Sequence, residues 1–190
     1  MNCVMKYLLT IFAAAMLCLS ASAQDHLCFE GIPIEGPVSS FVDKLKEAGF
    51  KEWEDDIART LLKGKLFGRE CTLIVKSNPD NGDVYAVTAT FAIRNNWRLC
   101  KEDYLAAQEG LSRQFGRPTR IEKFERPFRE GDGLELHHLN MGLCKWISTY
   151  NTPCGPVTLR LAPVIVNNGQ LVVLWEDKIN SELMSAKMGE

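Results

Sequence analysis

The chain has 190 residues, of which 46% are hydrophobic, and its 22 basic and 24 acidic side chains give a formal net charge of −2. A chain of this length can bury one substantial core or form two small fused units. The near balance of charge provides no overall attraction to nucleic acid, so we expect no nucleic-acid partner.

The first 23 residues have the features of a secretory signal peptide. Lys6 is their only charge, an apolar run follows it, and Ala21-Ser22-Ala23 supplies the small residues of a cleavage site. The apolar run is too short for a comfortable membrane span, and no later stretch approaches the required length. We therefore expect an exported protein, periplasmic or extracellular, that starts at Gln24. Lipidation at Cys18 is less favoured, because a large residue precedes that cysteine.

Five cysteines follow the predicted leader and are candidates for disulfide bonds in an oxidising compartment. An odd number predicts two disulfides and one remaining thiol. Five choices of the odd cysteine, each with three connectivities, leave fifteen arrangements that the sequence does not separate. The candidates are Cys28, Cys71, Cys100, Cys144 and Cys154.

Residues 24–39 form an opening segment, and the pattern after them predicts a helix. Residues 40–43 match a capping box, in which the Ser40 hydroxyl and the Asp43 carboxylate serve the first amide groups of the helix. Apolar side chains then recur on one helical face, and Gly49 ends the helix. That face comprises Phe41, Val42, Leu45 and Ala48.

Two hairpins with alternating apolar side chains organise the predicted sheet. The expected cross-strand pairs of the first hairpin are Cys71 with Phe91, Leu73 with Ala89 and Val75 with Val87. The second hairpin permits the same pairing of Val157, Leu159 and Leu161 with Trp175, Val173 and Leu171. Each loop contains Asn and Gly, and we expect Gly82 and Gly169 to take the left-handed conformation that closes such a loop.

The second half begins with a longer helix from Asn95, which Gly116 ends and Pro118 prevents from continuing. Its apolar stripe recurs at three- and four-residue steps and comprises Trp97, Cys100, Tyr104, Ala107, Leu111 and Phe115. Further short strands are predicted at residues 61–67, 134–139 and 144–150.

These elements predict an α+β fold of two tandem α-β-β-β units, residues 40–94 and 95–178, with the helices on one face of antiparallel sheet. Residues 119–133 form a charged insertion in the second unit, and residues 179–190 form a C-terminal tail. The sequence leaves open whether the sheets of the two units join.

Several short motifs occur together along the chain. They are residues 29–36, Phe41-Val42-x-Lys44-Leu45 with Gly49-Phe50, Leu62-Lys63-Gly64 with Phe67-Gly68, Trp97 with Tyr104, Phe115-Gly116-x-Pro118, and residues 176–180. In this order they resemble a family of small exported Bacteroidetes proteins with no assigned activity. The resemblance implies cysteines at the positions of Cys71 and Cys144. The tandem layout also looks like the beta-lactamase inhibitor protein and the small outer-membrane assembly lipoproteins, a likeness of architecture that carries no site residues.

No residue pattern predicts a catalytic site, a metal site or a cofactor. His137 and His138 are adjacent on a predicted strand, so their side chains should point to opposite faces and not share one metal ion. Cys154 lies in a predicted loop, but a nucleophilic cysteine needs a base held beside it, and no such signature is present. We therefore expect no cofactor.

The charged insertion is the best sequence candidate for a specific contact. Phe124 and Phe128 would be apolar anchors within it, and Arg126 and Arg129 can pair with carboxylates on a partner. We expect Phe128 to be partly exposed and neither ring to be needed in the core. The favoured function is an exported, non-catalytic module that binds an unknown protein or cell-envelope component through this segment or an exposed sheet face. The alternative is a small secreted hydrolase or thiol-dependent enzyme whose site is assembled from scattered residues.

Overall fold

The structure is a computed structural model that describes residues 26–56, 59–164 and 166–188, so the predicted signal peptide lies outside the described residues. A small hairpin comes first, formed by β1 (Cys28–Phe29) and β2 (Ile32–Pro33). The main strands are β3 (Lys51–Asp56), β4 (Arg59–Leu66), β5 (Arg69–Ser77), β6 (Val84–Arg94), β7 (Thr119–Phe124), β8 (Cys144–Thr152), β9 (Gly155–Pro163) and β10 (Gly169–Glu176). They form one antiparallel sheet in the order β3-β4-β5-β6-β10-β9-β8-β7, so the fold is α+β as predicted.

Four helices accompany the sheet: α1 (Val38–Glu47), α2 (Trp97–Phe115), α3 (Glu135–Asn140) and α4 (Lys178–Met188). The start of α2 is capped by the Asn96 side chain, which accepts a hydrogen bond from the Leu99 amide. The predicted capping box of α1 is wrong, because the helix begins at Val38 without a side-chain cap and Ser40 lies inside its first turn. None of the helices in the described residues is long and apolar enough to cross a membrane.

The registers of both central hairpins confirm five of the six predicted cross-strand pairs. In the first, Leu73 lies opposite Ala89 and Val75 opposite Val87, but the ladder ends at Thr72 and Thr90 and does not include the predicted pair of Cys71 with Phe91. In the second, the pairs are Leu161 with Leu171, Leu159 with Val173 and Val157 with Trp175. The pairing of β6 with β10 then joins the two hairpins, so both halves of the chain contribute to one continuous sheet.

Both edge strands were missed by the sequence prediction, and one helix was predicted as a strand. β3 and β7 are rich in charge and pair on one side only, so they lack the clear alternation of interior strands. The strand predicted at residues 134–139 is wrong, because α3 occupies this segment. There Leu136 and Leu139, three residues apart, are buried on one helical face. Each half of the sheet therefore has four strands rather than three.

Helices α1 and α2 pack against the same face of the sheet, which we call the core face. Lys46 of α1 forms an ion pair of 2.6 Å with Glu52, which lies opposite the buried Leu62. From α2, the Tyr104 hydroxyl lies 2.7 Å from the buried Ser148 Oγ of β8. Strand side chains buried on this face include Cys71, Leu73, Val75, Val87, Ala89, Leu159, Leu171, Val173 and Trp175.

A buried charge cluster fixes α2 to the first half of the sheet. The Asp103 carboxylate, whose side chain is 4% exposed, accepts from Arg69 Nη1 at 2.7 Å and from Arg94 Nε at 2.8 Å. A buried carboxylate is stable only when it is paired in this way. The two arginines come from β5 and β6, so the cluster sets the position of α2 across the strands that lead to the centre of the sheet.

The two loop glycines predicted to be left-handed differ in the structure. Gly82 has φ of +75°, as predicted, and a Cβ added there would meet no atom within 4 Å. The prediction for Gly169 is wrong, because Asn167 takes the positive φ in that loop and Gly169 lies in β10. A Cβ on Gly169 would lie 3.0 Å from the Cys100 sulfur. Close packing, and not backbone conformation, is the reason for glycine at position 169.

Replacing either loop glycine with valine should destabilise the fold by more than about 1 kcal/mol, through backbone strain at Gly82 and overpacking at Gly169. Asparagine separates the two causes, because it tolerates the left-handed conformation but still adds bulk. Gly82→Asn should be nearly neutral, whereas Gly169→Asn should cost at least as much as valine. Urea unfolding measures all four variants, and equal tolerance of asparagine at both positions would contradict this assignment.

Asp103→Asn should lower the free energy of unfolding by about 2–4 kcal/mol, because it leaves two arginines facing a neutral amide. The matched control is Glu109→Gln on the same helix. Glu109 pairs with Arg113, but its side chain is 67% exposed, so the control should change stability by no more than about 0.5 kcal/mol. Similar losses for both variants in urea unfolding would show that Asp103 does not hold α2 on the sheet.

Candidate functional site

The charged segment nominated by the sequence is partly strand and partly loop. Its first residues form β7, and the loop that follows carries exposed Arg126 and Arg129. The Phe128 ring packs on the His138 ring with their centroids 4.5 Å apart. Phe128 remains half-buried, which confirms the expectation that it is partly exposed.

Phe124 is half-buried and packs against the buried core, so the expectation that neither ring has a core role is wrong for this residue. Its ring meets the Trp97 ring edge-on at a centroid distance of 5.7 Å and packs against the buried core. Trp97 in turn meets Trp146 at 5.5 Å. The apolar side chains of α2 therefore pack against Phe124 of β7. The periodicity of apolar residues within a helix does not predict such a contact with another element.

The loop is tied back to α2 through Glu130. Its carboxylate accepts from the Trp97 indole at 2.9 Å and from the Lys101 ammonium at 2.7 Å. The hydrogen bond from Lys101 is the main cause of a lowered pKa at Glu130, and the bond from Trp97 adds to it against the opposing effect of burial. The Glu130 carboxylate therefore has a structural role, because its contacts attach the loop to α2.

The two adjacent histidines do not form a metal site. They lie on α3, where His138 is buried and His137 is exposed. His138 Nδ1 lies 3.7 Å from an Asp132 carboxylate oxygen, beyond hydrogen-bond distance. Among the described residues, no group of three or more histidine, cysteine, aspartate or glutamate side chains is placed to hold a metal ion.

The buried cysteines are poor nucleophiles. No disulfide is formed among the described residues. Burial raises the pKa of Cys71 and Cys144 to about 12 and that of Cys100 to about 11. Nucleophilic cysteines instead need a lowered pKa and some access to solvent, so these three thiols pack as small hydrophobic side chains.

A cysteine, a histidine and an aspartate do meet near the start of α4, but their geometry does not activate a thiol. His26 Nδ1 lies 3.1 Å from the buried Asp177 carboxylate, and its other ring nitrogen faces Glu35 at 3.6 Å. The Cys28 sulfur contacts the His26 backbone carbonyl and not the imidazole. Burial and neighbouring acidic groups raise the pKa of Cys28, which opposes formation of a thiolate.

We call the face of the sheet opposite the core face the open face, and most of the side chains in its two central rows are half-exposed or exposed. Residues directly opposite each other on antiparallel strands share a face, so the registers define its members. One row across the sheet is Lys63, Thr72, Thr90, Val172, Arg160, Ile147 and Ile121. The next row is Leu61, Ile74, Thr88, Leu174, Thr158, Thr149 and Thr119.

The open face is basic, although the whole chain carries a net charge of −2. Among the strand side chains that the structure describes, the registers place seven cations there: Lys51, Lys63, Lys65, Lys76, Lys123, Lys145 and Arg160. Counted over the same set of described side chains, two carboxylates share this face, Glu70 and Glu176. Within the described side chains, basic groups therefore outnumber acidic groups on this face of the sheet.

Arg160 occupies the interior of this face. Its side chain is exposed on β9, between Val172 of β10 and Ile147 of β8. The ion pairs that involve cations of the open face, within the described part of the chain, are Lys65 with Glu70 and Lys123 with Glu125, and they leave Arg160 unneutralised.

An exposed aromatic side chain lies near the β3 edge of this face. Trp53 is 51% exposed, and the Lys63 ammonium lies 3.4 Å from the centroid of its ring. Neither Trp53 nor Arg160 was among the candidate residues predicted from the sequence. The alternation of Arg160 with the buried Leu159 and Leu161 predicts that its side chain points away from the core. The sequence prediction used this alternation only to place the core side chains.

Comparisons with known protein families, with curated proteins and with solved structures give no match for this chain. We therefore infer function from the geometry of the described residues.

Phe124→Ser should lower the free energy of unfolding by roughly 2–3 kcal/mol, because it removes a ring that packs on Trp97. Phe128→Ser should cost less than half of that, because the Phe128 ring packs on the His138 ring and, unlike Phe124, is not among the side chains that pack against the core. Arg126→Ala is the control in the same loop and should be neutral, since the side chain is exposed. Thermal unfolding of the three variants gives the ranking. Equal effects of the two phenylalanine changes would place both rings in the core.

Proposed function

We propose that this protein is an exported, non-catalytic binding module and that its open face binds an acidic segment of a partner protein at the cell envelope. The observation that carries the proposal is the charge of this face. It is basic in a chain that is acidic overall, and its central arginine has no carboxylate partner among the described residues. A folded protein gains no stability from collecting like charges on one surface, so a binding role accounts for the arrangement better.

The chemistry of Arg160 suits a carboxylate ligand. A guanidinium group can donate two parallel hydrogen bonds to one carboxylate, which fixes orientation as well as charge. Val172 and Ile147 flank it across the strands and would exclude water from the ion pair when a partner covers them. Arginine surrounded by apolar contacts is typical of residues that dominate interface energies.

The rest of the open face supports a broad contact. Threonine and aliphatic side chains fill the two central rows, and they offer methyl groups and hydroxyls on a rigid backbone. The exposed Arg126 and Arg129 would form a second, smaller contact with the same partner, as their position in a charged loop suggests. Phe128 would contribute there through its exposed edge.

We also propose that the two halves are copies of one structural unit. In support, the strand order is symmetric about the β6–β10 pair, and each half is a helix followed by four strands. The second half then differs by the segment at residues 125–143, which is inserted between its first and second strands. Membership of the exported Bacteroidetes family that the motifs resemble is part of the same proposal.

Arg160→Glu should weaken binding to a defined acidic probe, poly-L-glutamate, by roughly tenfold or more, about 1.4 kcal/mol or above. Binding of the wild-type chain should also weaken as salt is raised from 50 to 500 mM, because screening acts on exposed charges. The measurement is the fluorescence anisotropy of labelled poly-L-glutamate titrated with the full chain. The same variant should lose partners captured from a cell-envelope extract.

The matched control is Lys44→Glu. Lys44 is exposed on α1, over the core face, so the change makes the same reversal from cation to anion on the other side of the molecule. It should leave probe binding within about twofold of wild type. If both variants weaken binding equally, the effect is one of net charge and the open face is not the site. If the chain captures an anionic polysaccharide and no protein, the choice of a protein partner is wrong.

A further inference from the structure

Two half-buried cysteines from distant parts of the chain meet where the N-terminal segment touches the start of α4. Cys28 follows Leu27, whose amide donates a 2.6 Å hydrogen bond to the Asp177 carboxylate. Cys154 lies in the turn between β8 and β9, and its carbonyl accepts from the Lys178 amide at 2.9 Å. Both cysteines are thus held beside the same two consecutive residues, 177 and 178.

We propose that Cys28 and Cys154 form a disulfide bond in the oxidised protein, while the three buried cysteines remain thiols. The bond would tie the β1–β2 hairpin to the turn between β8 and β9. The proposal differs from all fifteen arrangements that the sequence leaves open, because each of those has two disulfides and this one has one disulfide and three thiols.

The electrostatic surroundings of the cysteines agree with this pairing. After burial, the nearby Cys154 is the largest cause of the raised pKa of Cys28. For Cys71, Cys100 and Cys144, the charged groups that shift the pKa are acidic residues and, for Cys100, also an arginine, with no cysteine among them. Among the cysteines that the structure describes, Cys28 and Cys154 are thus the pair in which one thiol affects the pKa of the other.

The two cysteines implied by the family resemblance are too far apart to pair with each other. Cys71 lies on β5 and Cys144 on β8, with β6, β10 and β9 between them in the sheet. Four strand spacings correspond to about 19 Å. A disulfide needs Cα atoms within about 7 Å, so these two cysteines cannot be joined without taking the sheet apart.

The reaction needs an oxidant, which we identify by class as the disulfide of an exported thiol–disulfide oxidoreductase or of a small molecule such as oxidised glutathione. A thiolate of the pair attacks this disulfide, and one oxidant thiol leaves. The second thiolate then attacks the mixed disulfide and releases the other oxidant thiol. Two cysteine thiols lose two electrons and two protons, and one disulfide of the oxidant is reduced to two thiols. Both target cysteines are half-buried, so the oxidant can reach them.

The proposed disulfide would stabilise the fold by joining two distant parts of the chain. Roughly 125 residues separate the two cysteines, and cross-links that close long loops restrict the unfolded chain most. The N-terminal segment is otherwise fastened to this end of the molecule by hydrogen bonds, including those from the Asn180 amide to the Ile34 and Val84 carbonyls. The disulfide would make that attachment covalent.

The test is to incubate the chain that starts at Gln24 with oxidised and reduced glutathione, block remaining thiols and digest with trypsin without reduction. In this chain each of the five cysteines falls in a different tryptic peptide: those ending at Lys44, Lys76, Lys101, Lys145 and Arg160. Mass spectrometry should find the peptide that ends at Lys44 linked to residues 146–160. Reduction should lower the melting temperature of the wild-type chain by roughly 5–15 °C.

Cys28→Ser and Cys154→Ser should each abolish the link and the effect of reductant on melting. Cys71→Ser, the control, should keep both. A link between the peptide ending at Lys44 and any other cysteine peptide would overturn the proposal. So would complete blocking of both Cys28 and Cys154 in the oxidised wild-type chain. The readout does not involve ligand binding, so it can fail or succeed independently of the proposed function.

Discussion

The pairing of β6 with β10 is the interaction on which the rest of the structure depends. These are the last strands of the two halves, and their register places Ala89 opposite Val173 and Val87 opposite Trp175. Without this pairing, each half would have four strands, one helix face to cover them and an additional open edge. With it, eight strands share one core and two edges, and the opposite face becomes one continuous surface. Asp103 strengthens this arrangement, because it fastens α2 to β6 beside the seam.

The interior of the fold could be predicted from the sequence because burial on one side leaves a strict alternation. Leu73 and Val75, and likewise Leu159 and Leu161, fix their registers by themselves, since a shift of one residue would expose all of them. The edge strands β3 and β7 have no such alternation, because they carry charges on both faces. Only their pairing with β4 and β8 in the structure identifies them as strands. α3 was mistaken because Leu134, Leu136 and a histidine pair fit a period of two as well as a single helical turn, and six residues are too few to decide.

The candidate site could be predicted only in part, for a related reason. Arg160 can be placed on the outer side of its strand from the alternation of Leu159 and Leu161 alone. The sequence does not show that β10 lies against β6, and therefore does not show that Arg160 and Lys63 share one face. The net charge of the chain hides the basic surface completely. Phe124 was wrongly predicted to lie only on a contact surface. Its ring packs on Trp97, which belongs to a different element, and the spacing of apolar residues along one helix does not predict contacts between elements.

The two proposed features lie far enough apart to act separately. Cys154 precedes β9, and Arg160 is five residues into that strand, so the thiol and the guanidinium are separated by roughly 17–20 Å along the strand. A cross-link at Cys154 therefore changes the freedom of the chain ends and leaves the backbone under Arg160 in its ladder between β8 and β10. Such a ladder holds a binding surface in shape before a partner arrives, which lowers the entropy lost on association. Under the proposed export to an oxidising compartment, the cross-link would make the fold more persistent and the sheet would give specificity for the proposed partner. Either property could change without the other.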